Sequence, residues 1–160
     1  GSITAFYNVL VDSDDMNEPI TDAVRGILDG HIVLSRKLAQ AYHYPAIDVL
    51  ASISRLSKRV SGKMTQKACA KIRTLMATYQ NNEAAIVSGI YAKGNSPAID
   101  EAIDMHQPIE EFLTQEEYEP SSMKETLDKL ASLSGVKIPE TEYVEAPALV
   151  VTEPVENEEV

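Results

Sequence analysis

Arg55 closes a short run, Tyr44-Pro-Ala-Ile-Asp-Val-Leu-Ala-Ser-Ile-Ser-Arg55, that sets an aromatic ring, a carboxylate, two hydroxyls and a cation close together in the chain. A guanidinium stays charged at all ordinary pH and presents a planar fork to two oxygens, which suits phosphate or carboxylate. A tyrosine ring offers a flat π-face on which another ring can stack. Outside any wider pattern, Arg55 reads as a surface arginine paired with an acid and Tyr44 as a packing residue. The other chemical residues fare less well. Ser54 lacks the glycine-flanked elbow of a nucleophilic serine. The acidic stretch Asp14-Asp-Met-Asn-Glu18 could be taken for a metal site, but acids at a helix N-terminus are better explained as a solvated cap. His31, His43 and His106 show no ligand spacing and no convergent acid, and Ser61-Gly-Lys-Met64 only faintly echoes a phosphate-binding loop. The single cysteine, Cys69, excludes an internal disulfide and a cysteine-rich metal site.

The elements that must position these residues follow from periodicity. Residues 3–11 (ITAFYNVLV) are β-branched, aromatic and almost wholly apolar, which predicts a strand covered on both faces in a parallel sheet. An acidic loop over 12–18 leads to Pro19 as the first residue of a helix, with Ile20, Val24, Ile27 and Leu28 on one face and Asp29-Gly30 ending it. A short strand over 31–34 precedes Ser35, which caps a helical turn through Leu38 and Ala39, and residues 42–54 read as extended. From about Lys58 the pattern is helical. Met64, Ala68, Ile72, Leu75, Met76 and Tyr79 form one face of a long helix; Ala85, Ile86 and Ile90 belong to a second, stopped near Gly94. Ser96-Pro97 opens the next with Ile99, Ala102 and Ile103, and Pro108 restarts it with Ile109, Phe112 and Leu113. Ser122-Met-Lys-Glu125 is a capping box for a last helix with Met123, Leu127 and Leu130, closed by Gly135. Beyond Val136 the chain is rich in Pro and Glu without periodicity, which predicts disorder, although Val144 and Ala148-Leu-Val-Val151 could dock on a partner.

Composition narrows the classes. A chain of 160 residues with 44% hydrophobic residues suits one domain, or the remnant of one with a small companion. The net charge of −11 argues against nucleic acid and against an anionic membrane surface. More than half of that charge lies in the tail from Val136, where Lys137 faces Glu140, Glu142, Glu145, Glu153, Glu156, Glu158 and Glu159. With no signal peptide and no long apolar run, a reducing cytoplasm is the plain expectation.

The run from Tyr44 to Arg55 resembles the signature segment of the α/β-subunit superfamily of rotary ATPases, with Pro45-Ala-Ile-Asp48 followed by Ser52, Ser54 and the closing Arg55. Gly1-Ser-Ile-Thr-Ala-Phe-Tyr7, Asp14-Asp-Met-Asn-Glu-Pro19 and Asp29-Gly-His-Ile-Val-Leu-Ser-Arg36 are similar, more narrowly, to flagellar and type III secretion export ATPases. The resemblance covers residues 1 to about 135. It implies an α+β fragment: the end of a RecA-like nucleotide-binding domain over 1–57, an α-helical C-terminal domain over 58–136, and an acidic tail over 137–160. It further implies that Arg55 is an arginine finger reaching ATP held by a neighbouring subunit, and that Tyr44 stacks on adenine. Arg36 competes for the finger role, but its place between a strand and a helix favours bracing the fold. Phe112-Leu-Thr-Gln115 corresponds to the segment before the other adenine wall; here Glu116 and Glu117 intervene, which leaves Tyr118 as the candidate there. The resemblance reads the acidic loop over 14–18 as lining the central hole of a ring, against an axle subunit.

No Gly-x-x-x-x-Gly-Lys-[Ser/Thr] occurs in the sequence, and the Mg²⁺-holding Asp and catalytic Glu of the family have no counterpart. The resemblance places all three upstream, so this chain alone is expected not to hydrolyse ATP. The implied parent is a homohexameric ATPase, with ATP and Mg²⁺ as cofactors, that drives flagellar or type III protein export at the cytoplasmic side of the export apparatus. Its implied partners are a stalk protein and chaperone–cargo complexes, with no nucleic acid and no membrane insertion. Two alternatives stand beside it: a catalytic subunit of an F- or V-type ATP synthase, and a stand-alone helical interaction domain without nucleotide chemistry. Lys93-Gly-Asn-Ser-Pro97, where ATP synthase β subunits carry an acidic loop, favours the export branch over the first. An upstream phosphate loop would exclude the second.

Overall fold

The computed structural model describes residues 1, 3, 5, 7–11 and 19–143 of the chain. The elements run α1 (Pro19–Ile27), β1 (Gly30–Leu34), α2 (Arg36–Gln40), β2 (Ile47–Ser54), α3 (Ser57–Val60), α4 (Lys63–Val87), α5 (Pro97–Leu113) and α6 (Met123–Ser134), followed by a 3₁₀ turn, Glu140–Glu142. β1 and β2 pair antiparallel as a two-stranded sheet. The expected strand over 3–11 does not form among the described residues, and Ile3 and Leu10 are almost fully exposed. The reason is the ladder: a strand apolar on both faces needs neighbours for its N–H and C=O groups, and the described strands pair only with each other. The acidic loop over 12–18 lies outside the described residues.

α1 begins at Pro19, as its fixed φ favours. It ends at Ile27, earlier than Asp29-Gly30, because Gly30 instead opens β1. Ser35 caps α2, its Oγ accepting the Leu38 amide.

The core lies among α4, α5 and α6. Ala68, Ile72 and Leu75 come from α4, Ala102 and Ile109 from α5, and Leu127 and Leu130 from α6. Met64, Met76, Tyr79, Phe112 and Leu113 pack around them. These are the faces that helical spacing predicts. Two expected breaks are absent. α4 runs unbroken over 25 residues to Val87, taking in Ala85 and Ile86; the Asn82 amide folds back onto the Thr78 carbonyl at 2.8 Å, so its polar side chain is satisfied within the helix. α5 likewise passes through Pro108, which removes one amide from the helical ladder without ending it. Ser96 holds the N-cap position of α5 but makes no side-chain cap. The capping box at Ser122 and Glu125 is complete, and Gly135 closes α6 in the left-handed region. Met123, the first apolar residue of α6, is half exposed.

Residues 137–143 correct the expectation of a structureless tail starting at 137. Ile138 is buried in the core, and the Tyr143 hydroxyl donates to Asp128 Oδ1 at 2.7 Å. Glu142 accepts from the Met64 amide (3.0 Å), the Thr65 amide (2.8 Å) and the Thr65 hydroxyl (2.8 Å), capping the start of α4 from across the chain. Those donors hold the Glu142 carboxyl below its usual range, the Thr65 amide foremost. Gly62 makes room for this contact, since a Cβ there would lie 2.0 Å from Glu142 Cδ. Residues 144–160, including Val144 and Ala148-Leu-Val-Val151, lie outside the described residues.

Candidate functional site

The strand that leads to Arg55 is irregular. His31 pairs with Ile53 and Val33 with Asp48, so Ile32 alone on β1 faces residues 49–52 on β2. β2 must bulge there, which kinks and twists a strand and re-aims the residues after it. A bulge takes backbone groups out of the ladder, and each needs another partner. The Ser52 hydroxyl donates to the Asp48 carbonyl at 2.6 Å, while its oxygen accepts the Val33 amide at 3.0 Å. Asp48 Oδ1 accepts the Ala51 amide at 2.9 Å. His31 Nε2 donates to the Ala51 carbonyl at 3.3 Å. The remaining two carbonyls, of Val49 and Leu50, accept from Arg73 on α4; Nη1 reaches Val49 and Nη2 reaches Leu50 at 3.1 Å. Asp48 and Ser52, two side chains of the signature segment, therefore shape the backbone.

Arg55 follows this bulge after two paired residues, Ile53 and Ser54. Its amide donates to the Asp29 carbonyl at 2.7 Å, extending the β1–β2 pairing past the end of both strands. Gly30 permits that closeness, because a Cβ on it would meet the Ile53 carbonyl oxygen at 2.7 Å. The side chain is exposed, and Nη2 donates to the Arg25 carbonyl of α1 at 3.2 Å. The guanidinium thus has a fixed root and an open face.

The aromatic candidates lie on two segments that meet. Tyr44 is half exposed, and its carbonyl accepts the Gln115 amide at 2.8 Å. Tyr118, also half exposed, stands three residues further on with a positive φ of 66°. Its hydroxyl bonds the Glu117 carboxylate, which pushes the phenol up from its ordinary range. His43 reinforces the junction, with Nδ1 3.0 Å from Glu110 Oε2 on α5. His106 stacks on Tyr79 with centroids 3.6 Å apart, and its Nδ1 lies 4.0 Å from Glu110 Oε1. His43 and His106 do have a convergent acid after all; Glu110 lies so far from His43 in sequence that no local spacing reveals it. Arg73 and His31 escape sequence reading for the same reason.

Tyr44 and Arg55 are tied to different parts of the fold: Tyr44 joins the Tyr118 segment, and Arg55 joins α1. A small, partly open crevice between α4 and α5, lined by Leu75, Met76, Tyr79, Ala102, His106 and Ile109, includes none of the three candidates. Among the described residues no group of three or more His, Cys, Asp or Glu is placed to hold a metal ion, and no helix is long and apolar enough to cross a membrane.

Comparison with known proteins finds relatives for both the strand pair and the three-helix bundle. Residues 1–54 match the ATP synthase alpha/beta family, nucleotide-binding domain, and residues 62–132 match the T3SS EscN ATPase C-terminal domain. The flagellum-specific ATP synthase of Bacillus subtilis (strain 168) is 53% identical over 135 residues, 84% of this chain and 31% of that protein. Among solved structures, the assembled ATPase EscN of the enteropathogenic E. coli type III secretion system matches with a TM-score of 0.80 and 44% identity, over 84% of this chain and 32% of that one. EscN in complex with its central stalk EscO matches with a TM-score of 0.69 and 41% identity, over 72% and 29%. The chain belongs to the ATP synthase alpha/beta family and, within it, corresponds to the C-terminal part of a flagellar or type III secretion export ATPase. It is an α+β fragment, the end of a nucleotide-binding domain followed by a helical domain. It spans about a third of the length of the relatives it matches.

Proposed function

We propose that this chain is the segment of a hexameric, ATP-hydrolysing export motor that completes a neighbouring subunit's active site and carries the moving helical domain. Arg55 acts as the arginine finger. Hydrolysis of ATP spreads negative charge over the γ-phosphate oxygens in the transition state, and a positioned guanidinium stabilises that charge without being consumed. The observation that carries this reading is the geometry of Arg55: a backbone pinned to Asp29, directly after a bulged strand, with an exposed side chain. Tyr44 and Tyr118 would hold adenine by their ring faces; the bond from the Gln115 amide to the Tyr44 carbonyl, which ties their segments together, supports that role. ATP supplies the scissile phosphoryl group. Mg²⁺ would neutralise charge on the phosphates, but the described residues offer it no ligand set, and the phosphate loop would likewise come from outside this chain.

Residues 1–57 then form the end of the nucleotide-binding part, and 58–136, with the packed stretch up to 143, form the lever. Closure of a neighbour on ATP would move that lever against a stalk protein and chaperone–cargo complexes, at the cytoplasmic side of the export apparatus. The EscN–EscO complex supports a stalk partner for this family.

The test is Arg55→Ala in the full-length enzyme. Turnover should fall by roughly 10³–10⁵-fold while nucleotide binding persists. Turnover close to wild type would remove Arg55 from the reaction.

A further inference from the structure

Every backbone carbonyl from Asp48, where the β2 bulge begins to leave the ladder, through residue 51 has an identified partner, and the two taken by Arg73 are the ones met from the lever. Val49 and Leu50 are consecutive, and both their carbonyls lie within reach of one side chain, which must bond two oxygens at once to serve them. The planar guanidinium does so, with Nη1 on one oxygen and Nη2 on the other. Arg73 itself is held firmly at its root. It sits next to Ile72 and two residues before Leu75, both buried in the core, in the middle of the 25-residue α4. On the far side, only the last residues of β2 separate Leu50 from Arg55.

We infer that Arg73 is a positioning residue for the reaction: it clamps the β2 bulge to the lever helix, so that α4 and Arg55 move as one. This rests on the reading of Arg55 as the finger and adds the route by which the lever and the finger stay in step. The other ties between the helical part and the segments before it serve different ends. His43 to Glu110 and Gln115 to Tyr44 fix the tyrosine junction, and the Lys37–Glu83 pair at 3.9 Å lies on the surface. The Arg73 fork grips the strand that ends at the arginine.

The experiment compares Arg73→Ala, Arg73→Lys and Arg55→Ala, singly and as the Arg73→Ala/Arg55→Ala pair, in the full-length enzyme. Arg73→Ala should lower kcat by about 100-fold, the loss expected when a reacting group is displaced by about 1 Å, with KM for ATP unchanged. Arg73→Lys, which keeps the charge but gives up the planar two-nitrogen fork, should recover only part of this. In the double variant, single-turnover rates should match Arg55→Ala alone, since a misplaced finger costs nothing once the finger is gone. A full further loss in the double variant, or kcat near wild type in Arg73→Ala beside a dead Arg55→Ala, would overturn the clamp. Near-normal turnover in Arg55→Ala would instead overturn the finger. A second readout needs no nucleotide. In the 160-residue chain, Arg73→Ala should speed amide exchange at Val33 and Ala51, whose acceptors lie in the bulge, and leave Ile109 in the bundle unchanged. Unchanged exchange at Val33 and Ala51, or equal loosening at Ile109, would count against it.

Discussion

The helical bundle and the strand pair of this chain are held by opposite means. In the bundle, Ala68, Ile72, Leu75, Ala102, Ile109, Leu127, Leu130 and Ile138 bury apolar surface, and polar contacts such as the Ser122 capping box and the Lys71–Glu101 pair lie around that core. In the strand pair no residue of β1 or β2 is fully buried, and side chains substitute for a broken ladder: Ser52, Asp48, His31 and Arg73. Apolar packing is non-directional and tolerates small shifts, whereas a bulge held by directed bonds places the next residues within narrow limits. A part that must move as a body is served by the first. A part that must aim a single side chain is served by the second.

The sharpest way to break this contrast is in the core. Ile109 is the largest side chain buried almost completely, so Ile109→Ala leaves a cavity among α4, α5 and α6 and should cost about 4 kcal/mol of bundle stability by denaturant titration. A loss below about 1 kcal/mol would mean that the bundle is not held by its core. The strand pair should respond to a smaller, polar change. Ser52→Ala leaves the Val33 amide and the Asp48 carbonyl without their partner and should cost about 2 kcal/mol locally. Exchange at the Val33 amide measures it, and equal loosening of the bundle amides would show that the two regions open together.

The mildest test is acid. The folded Glu142 carboxyl lies below its ordinary value of 4.5 because it accepts the Thr65 and Met64 amides. A group with a depressed folded pKa contributes its full stabilisation above the unfolded value, and loses it as pH falls through the folded one. The start of α4 should therefore be protected at neutral pH and loosen only below 4.5, seen as chemical-shift changes at the Met64 and Thr65 amides. Glu142→Gln should remove that step. A transition above 4.5 in the wild type would show that another group controls the cap.

Several features of the chain are decided over a few residues, and these are legible without a structure. The apolar spacing of Ala68, Ile72 and Leu75, the caps at Ser35 and Ser122, the stop at Gly135 and the start at Pro19 all depend on neighbours within about one or two helical turns. The signature run ending in Arg55 belongs with them, since it carries the family resemblance in its own order of residues. Local rules also mislead where a side chain is rescued locally, as with Asn82 in α4, or where a partner strand is lacking, as over residues 3–11.

Contacts between residues far apart in the chain were decided by the tertiary structure alone. His31 reaches Ala51 across 20 residues, Arg73 reaches Val49 across 24, and Glu142 reaches Thr65 across 77. Each satisfies a backbone group that a bulge or helix end leaves open, and such a demand arises only after the chain has folded into that shape. Periodicity reports which face of a helix is apolar; it carries no information about which distant side chain will find an orphaned carbonyl or amide.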